Sequence, residues 1–397
     1  MNEQTVIIKR RFSDKLKKGY PLVEQGALSE KAKFGHEGSI LRFVDESGVF
    51  IGKGYYGKQN KGIGWMLTQR ENESINTNFF SGKIQAALDE RASLFSDKHT
   101  TAFRVLNGEG DGIGGLTIDY YDGYYVCTWY SEGIYSFRDH VYKALESIMS
   151  YKGVYEKKRF ASKGQYVEDD DFVMGERGDF PLLVKENGIT FAVYLNDGPM
   201  VGVFLDQRDV RNRIRDEYAK GKEVLNTFSY TGAFSVAAAL GGATKTTSVD
   251  LAKRSHAKTI EQFSVNGIDY EAQDIVVMDV FNYFKYAKKK EKTFDLVILD
   301  PPSFARSKKH TFSAAKDYTS LLQDAISITE KNGVIIASTN CSTFTMEKFQ
   351  TFIKDAFKKE KLSYQILEEY RLPDDFRTNK SFREGNYLKV VFIKRVG

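Results

Sequence analysis

The second half of this chain alternates short apolar segments with segments of helical length, and this alternation restricts the possible folds more than any other feature. Five apolar segments fit β-strands: 224–228, 246–249, 275–278, 296–299 and 333–338. Repeated strand–helix–strand units predict a mostly parallel sheet, which is an α/β fold. Segments 364–369 and 387–394 fit an antiparallel edge. We assign this α/β domain to residues 191–397.

The first 190 residues follow a different pattern. Segments 39–44 and 49–56 fit short strands separated by glycines, so residues 1–75 are predicted to form a small β-rich module. A helical pattern at 78–95 begins the next region. Further strands and one helix follow it, at 102–106, 116–121, 124–130 and 136–149. We therefore predict an α+β middle domain over 76–190.

Composition excludes several classes of protein. With 41% hydrophobic residues in 397, the chain is predicted to be globular with more than one core. It shows no signal peptide and no apolar run near the roughly 20 residues of a membrane span, which predicts a cytoplasmic protein without membrane contact. Cys127 and Cys341 are predicted to be free thiols, and no metal motif is present. The oligomeric state stays open, a homodimer included.

Charge gives weak information about partners. The net charge is +5, and basic residues cluster at 9–18 and at 157–163. Such clusters are typical of nucleic-acid-binding surfaces and also of ordinary solvated surfaces. They permit an RNA partner without requiring one.

The first strand and turn of the α/β domain predict the cofactor. The turn Tyr230-Thr231-Gly232 contains one glycine, whereas a dinucleotide site needs the pattern G-x-G-x-x-G. Asp250 follows Gly232 by 18 residues, a spacing at which a carboxylate can bind ribose hydroxyls. S-adenosylmethionine has no phosphate and needs only one close backbone approach, so this turn favours it over a nicotinamide cofactor.

The ends of the following strands supply further candidate residues. Asp279 follows the third strand, where it could accept the adenine amino group or simply cap the next helix. Asp300-Pro-Pro-Ser-Phe304 ends the fourth strand; its prolines cannot extend a central strand, so they form a rigid loop. The predicted cofactor-binding residues of these strand ends are Phe228, Tyr230, Thr231, Gly232, Asp250, Leu251, Asp279, Val280 and Asp300. The predicted base-binding residues are Pro301, Pro302 and Phe304.

Two longer motifs carry a family resemblance. They are Arg104-Val-Leu-Asn-Gly-Glu-Gly-Asp-Gly-Ile-Gly-Gly-Leu116 and Gly202-Val-Phe-Leu-Asp-Gln-Arg208. With the preceding features, the chain resembles the bacterial 23S ribosomal RNA methyltransferases of the ribosomal RNA large subunit methyltransferase I family. The resemblance implies an N-terminal PUA domain, an α+β domain and a Rossmann-like methyltransferase domain. It also implies that Phe204, Asp206 and Arg208 frame the cofactor pocket, although a helix start would explain them equally.

The N-terminal part of the resemblance is looser. Segments 19–23 and 52–56 look like the family's PUA signposts. However, Gly57-Lys-Gln-Asn60 replaces the usual Asn-x-x-Ser pattern, and Trp65-Met66 lies where an arginine is common. RNA binding by this module is therefore a prediction that rests on the family alone.

Cys341 makes cytosine the predicted target. Methylation at cytosine C5 requires a thiolate to add to C6, and Cys341 follows the fifth strand and matches the family's Cys-Ser motif. Thr345 is placed to cap the next helix, and Asp300 would bind the N3 and N4 edge of the base. A buried, inert Cys341 is one alternative. Methylation of guanine N7, which needs no nucleophile, is another, and a non-catalytic ribosome assembly factor is a third.

Overall fold

The structure, a computed structural model, divides into two compact units, each assembled from separate stretches of sequence. It describes residues 3–29, 34–58, 62–162, 165–166, 171–198, 200–306 and 311–397. Unit 1 comprises Met1–Val184, Val193–Val201 and Asp374–Gly385, and unit 2 comprises Lys185–Ala192, Gly202–Pro373 and Asn386–Gly397. Gln59, Asn60 and Lys163 lie outside the described residues. The division into 1–75, 76–190 and 191–397 stays a prediction.

The first sheet of unit 1 confirms the β-rich N-terminal region. Its elements are β1 (Gln4–Ile8), α1 (Arg10–Lys17), β2 (Leu22–Glu24), β3 (Ile40–Asp45), β4 (Phe50–Tyr56) and β5 (Gly62–Thr68). The strands pair in the order β1-β3-β4-β5-β2. A Cβ atom at Gly54 or Gly64 would lie 1.9 or 2.1 Å from a carbonyl oxygen of the neighbouring strand. Only glycine therefore allows β4 and β5 to pair this closely.

The second sheet of unit 1 mixes strands and helices, as predicted for the middle region. Its elements are α2 (Thr77–Glu90), α3 (Ala92–Phe95), β6 (Ala102–Asn107), β7 (Leu116–Tyr121), β8 (Tyr124–Trp129), α4 (Glu132–Tyr135), α5 (Arg138–Ile148), β9 (Gly153–Lys158), β10 (Ala161–Ser162), β11 (Gln165–Tyr166) and β12 (Phe172–Gly175). The order is β12-β9-β8-β7-β6. Because α5 crosses over between them, β8 and β9 run parallel.

Arg91 interrupts the helix that the sequence predicted at 78–95. Its guanidinium is buried and donates to both carboxylate oxygens of Asp111, at 3.0 and 2.9 Å. Asp111 belongs to the motif 104–116, and Asn107 of that motif donates to the carbonyl of Arg377 at 2.8 Å. This buried network overrides helical propensity. It gives the motif a structural role inside unit 1.

Unit 2 is built on a seven-stranded sheet. In sequence, a hairpin of β13 (Leu182–Glu186) and β14 (Ile189–Val193) precedes the strands of this sheet. Its strands are β15 (Glu223–Thr227), β16 (Lys245–Asp250), β17 (Asp274–Val277), β18 (Phe294–Leu299), β21 (Thr329–Thr339), β22 (Ser363–Tyr370) and β23 (Lys389–Val396), and β19 (Phe304–Arg306) and β20 (Thr311–Ser313) form a small hairpin. Its helices are α6 (Arg208–Arg213), α7 (Ala233–Leu240), α8 (Lys253–Ser264), α9 (Val280–Lys289), α10 (Ala314–Ser327) and α11 (Met346–Glu360).

The strand order of this sheet fixes where a ligand binds. The order is β17-β16-β15-β18-β21-β23-β22, with the first five parallel and β23 antiparallel to both neighbours, which confirms the predicted α/β fold. Val297 and Leu299 enter one apolar core, whereas Leu296 and Ile298 enter the other, so both faces of β18 are covered. From β15 the chain continues to β16 and β17 on one side of β15, and then returns to place β18 on the other side, so the strand order reverses at β15. Open α/β sheets bind ligands at such a switch point, beyond the carboxyl ends of the strands.

No described helix is both long and apolar enough to cross a membrane.

Candidate active site

The turn after β15 has a strained backbone that brings it close to α8. Phe228, Tyr230 and Gly232 all have positive φ, at 54°, 52° and 81°. A Cβ atom at Gly232 would lie 2.6 Å from the Thr259 side chain, so a larger residue would push the turn away. The Gly232 turn therefore lies at the switch point, and its close backbone approach to a cofactor stays a prediction.

Asp250 ties this turn to the end of β16. One carboxylate oxygen accepts from the backbone N–H of Tyr230 at 2.9 Å, and the other accepts from Ala252 at 2.8 Å. Each oxygen retains a lone pair, because a carboxylate offers about four acceptor positions. Asp250 can therefore hold the turn and still accept hydrogen bonds from two ribose hydroxyls.

Apolar side chains are exposed around Asp250 and the turn after β15. Leu251 is 58% exposed, Val277 40% and Phe204 42%. The Phe204 ring lies 5.4 Å from the Tyr230 ring, and the Thr231 hydroxyl donates to the Gly202 carbonyl at 2.7 Å, which joins segment 202–204 to the turn. Exposed apolar side chains next to hydrogen-bond acceptors are suited to a ligand that has an aromatic ring and a sugar.

The structure gives Asp279 and Val280 local roles. One Asp279 oxygen accepts from the backbone N–H of Asn282 at 3.1 Å and caps α9, as the simpler interpretation predicted. The second oxygen stays available to a ligand. Val280 is buried, so only its backbone could contact a cofactor.

Segment 204–208 adds a residue that the sequence interpretation missed. Gln207 is buried, and its amide donates to Asp300 at 3.2 Å and to the Ser338 hydroxyl at 2.7 Å. Asp206 accepts from the Tyr387 hydroxyl at 2.9 Å, and the Arg208 guanidinium lies 3.7 Å from the Asp209 carboxylate. Gln207 belongs to the motif 202–208, but the sequence did not single it out because its side chain is neutral.

Asp300 lies at the carboxyl end of β18, between the ends of β15 and β21. Burial raises its pKa to about 6, and the nearby negative charge of Asp206 acts in the same direction. A fraction of these carboxyl groups therefore carries a proton near neutral pH. Such a group can donate a hydrogen bond or a proton to a ligand.

The loop after Asp300 presents an aromatic ring. Pro301 is buried and Pro302 exposed, and Phe304 is 63% exposed at the start of β19. The Ser303 hydroxyl donates to the Asn340 side chain at 2.5 Å, which joins this loop to the end of β21. Stacking of a base on Phe304 is compatible with this exposure.

Cys341 follows β21 and is nearly buried, at 6% exposure. Its sulfur lies 3.1 Å from the Thr343 hydroxyl, and its backbone N–H donates to the Thr339 hydroxyl at 3.2 Å. Thr345 caps α11 by accepting from the backbone N–H of Lys348 at 3.4 Å, as predicted. Because β15, β18 and β21 are neighbouring parallel strands, the Gly232 turn, Asp300 and Cys341 all lie at the carboxyl-terminal end of the sheet. Cys127 lies in unit 1.

The chain is similar to known proteins along nearly its whole length. A family of S-adenosylmethionine-dependent methyltransferases matches residues 111–382, and a PUA-like domain family matches residues 6–69. A Bacillus subtilis protein, described provisionally as ribosomal RNA large subunit methyltransferase YwbD, is 62% identical over 98% of each chain. Ribosomal RNA large subunit methyltransferase I of Alteromonas mediterranea is 31% identical over 97% of each chain.

A solved structure is similar over the same extent. The crystal structure of SMU.776, described provisionally as a methyltransferase and solved in complex with SAH, has a TM-score of 0.90 and 40% identity to this chain. The match covers 99% of this chain and 100% of the other.

Proposed function

The chain belongs to the S-adenosylmethionine-dependent methyltransferase family, and from that premise we propose that it methylates C5 of a cytosine in 23S ribosomal RNA. The main support is that a nearly buried cysteine and an aspartate with a raised pKa lie at the carboxyl ends of two neighbouring strands, β21 and β18. Gln207 donates to both Asp300 and Ser338, which lies three residues before Cys341. A nucleophile and an acid held this way suit addition to a pyrimidine.

The residues of unit 2 fit the cofactor. S-adenosylmethionine, when bound, supplies a methyl group on a positively charged sulfur. Gly232 allows the close backbone approach, Asp250 has free lone pairs for the ribose, and Leu251 and Val277 offer apolar surface for the adenine. The second oxygen of Asp279 is available to the adenine amino group.

The proposed reaction begins with addition. The Cys341 thiolate donates an electron pair to C6, the double-bond electrons shift through C4 towards N3, and Asp300 gives N3 a proton. The resulting enamine makes C5 nucleophilic, so that it can take the methyl group. A solvent base then removes the C5 proton, the C5–C6 double bond re-forms, and the sulfur leaves C6 as a thiolate. N3 returns its proton to Asp300.

The RNA substrate rests on the relatives and on unit 1. Proteins 62% and 31% identical to this chain are described as ribosomal RNA large subunit methyltransferases, and residues 6–69 match a PUA-like domain. Basic residues at 9–18 add positive charge to that region. An enzyme with this substrate would act in the cytoplasm.

Base mapping and covalent trapping test the proposal. The purified enzyme is incubated with S-adenosylmethionine and 23S ribosomal RNA from cells that lack it, and the methylated base is identified by mass spectrometry. We expect 5-methylcytosine at one position. RNA carrying 5-fluorocytosine at that position should trap the wild-type enzyme covalently but not a Cys341→Ala variant. Fluorine takes the place of the C5 proton that must leave before the sulfur is released from C6. Methylation at guanine N7 without trapping would reject cytosine, and cofactor binding without any product would indicate an assembly factor.

A further inference from the structure

A buried lysine lies beside the proposed nucleophile. Lys389 is the first residue of β23 and pairs in register with Thr339, two residues before Cys341. Its ammonium nitrogen donates to the backbone carbonyl of Cys341 at 2.9 Å and to that of Tyr387 at 2.7 Å. The residue is only 2% exposed. Antiparallel pairing of β23 with β21 therefore brings a cationic group from the end of the chain to the strand that precedes the thiol.

Among the residues that the structure describes, this lysine has no acidic partner within salt-bridge distance. Across the described ranges no carboxylate lies within 4.0 Å of its nitrogen. Its other neighbours are the Phe344 ring, whose centroid is 5.3 Å away, and Arg371, whose like charge opposes its protonation. By contrast, Lys157, a buried lysine of unit 1, forms a salt bridge with Asp171. A buried ammonium without a counter-ion is costly, so such a site calls for an anion.

The thiolate of Cys341 is the anion within electrostatic range. Burial lowers the pKa of Lys389, the positive charge of Arg371 acts in the same direction, and negative charge on Cys341 opposes both, with a net value of about 8. Tyr387, whose backbone carbonyl accepts from Lys389, has its hydroxyl bonded to Asp206. Charge on the sulfur and charge on the nitrogen therefore favour each other.

We propose that Lys389 is a positioning residue whose positive charge keeps Cys341 as a thiolate. The S–H bond breaks, its electron pair stays on sulfur, and the proton passes to solvent. Two N–H groups of the ammonium donate to the backbone carbonyls of Cys341 and Tyr387, which holds the positive charge beside the residue that becomes negative. An opposite charge at this position favours the charged form of the thiol. This role rests on the proposed function, in which Cys341 is the nucleophile.

Titration of the thiol in RNA-free enzyme tests this role. Thiolate is followed by its ultraviolet absorbance against pH, and the curve of a Cys341→Ser variant is subtracted. Lys389→Met should raise the midpoint by about one unit or more relative to wild type, and Lys389→Arg should restore most of the difference. Lys394→Met, near the opposite end of β23, is the matched control and should leave the midpoint unchanged.

Turnover gives a second readout. At neutral pH the kcat of Lys389→Met should fall about 10- to 100-fold, in proportion to the lost thiolate, and recover as the pH rises. Affinity for S-adenosylmethionine should not change. An unchanged midpoint in folded Lys389→Met overturns the role, and if that variant does not fold, an unchanged midpoint in Lys389→Gln overturns it. A midpoint that rises in Lys389→Met, together with full activity of Cys341→Ala, would instead reject the proposed function, so the two failures are distinguishable.

Discussion

The two units each enclose a cysteine, an aspartate and a lysine, and they surround these residues differently. In unit 1 Cys127 lies in the middle of β8, where burial and the charges of Glu156 and Asp119 raise the pKa of its thiol. Asp119 forms a salt bridge with Arg104 at 2.6 Å, and Lys157 forms one with Asp171. Asp119 and Lys157 are therefore each neutralised by a partner within unit 1.

In unit 2 the same residue types occur at the ends of strands without neutralising partners. Asp300 receives hydrogen bonds from neutral groups, Cys341 lies beside Lys389, and within the described residues no salt bridge reaches Asp300 or Lys389. Uncompensated groups of this kind cost stability and are typical of functional sites. This difference is the one expected if the charged residues around Cys127 serve folding and the strand ends of unit 2 serve the proposed chemistry.

The largest expected effect comes from the two cysteines. Cys341→Ala should lower kcat by about 10³-fold or more, because no other group can add to C6. Cys127→Ala should change kcat by less than about twofold and cost about 1 kcal/mol of unfolding free energy through the small cavity. Initial rates with labelled cofactor and thermal unfolding measure both. Full activity in Cys341→Ala would remove the proposed chemistry from this site.

A second comparison uses the aspartates. Asp300→Asn keeps a hydrogen-bond donor but cannot give N3 a proton, so kcat should fall about 10²- to 10⁴-fold. Its stability should change with pH in a defined direction. Because the pKa of Asp300 is raised from 3.8 to about 6, wild-type stability falls as the pH rises through that window. Asp300→Asn should therefore raise the melting temperature at pH 7 but not at pH 4.

The matched variant in unit 1 should behave in the opposite way. Asp119→Asn breaks the pair with Arg104 and should lower the melting temperature at pH 7 by removing about 1–3 kcal/mol, with little change in kcat. Equal pH dependence in the two variants would contradict the difference between the units.

A third comparison concerns aspartates that hold turns. Asp45 of unit 1 accepts from the backbone N–H groups of Ser47 and Val49 and also binds Lys17, whereas Asp250 accepts two backbone N–H groups and keeps lone pairs free. Asp250→Ala should weaken S-adenosylmethionine binding by about 1–3 kcal/mol, and Asp45→Ala should leave it unchanged. Calorimetry on the folded variants decides. Unchanged affinity in Asp250→Ala would exclude a ribose contact.

The sequence revealed the strand ends because parallel strands are apolar and short. The fold, the Gly232 turn and the position of Asp250 follow from that pattern. Gln207 and Lys389 could not be predicted in the same way, since an amide in a helical turn and a lysine at the start of the last strand look like ordinary surface residues. Their burial depends on contacts between segments that are distant in sequence, as does the break at Arg91 of the helix predicted at 78–95.

The smallest expected effect separates capping from binding at Asp279. Asn76 of unit 1 caps α2 by accepting from the Phe79 N–H at 3.2 Å, as Asp279 caps α9, so Asn76→Ala should cost about 1 kcal/mol of stability and leave cofactor affinity unchanged. Asp279→Asn keeps the cap, because asparagine caps as well as aspartate, but it replaces the second oxygen with an NH₂ group. That group would face the adenine amino group donor to donor. Cofactor affinity should therefore fall by about 0.5–1.5 kcal/mol while the melting temperature stays within about 1 °C. Equal affinity of Asp279→Asn and wild type in calorimetry would leave Asp279 with capping alone, which is the role that Asn76 has in unit 1.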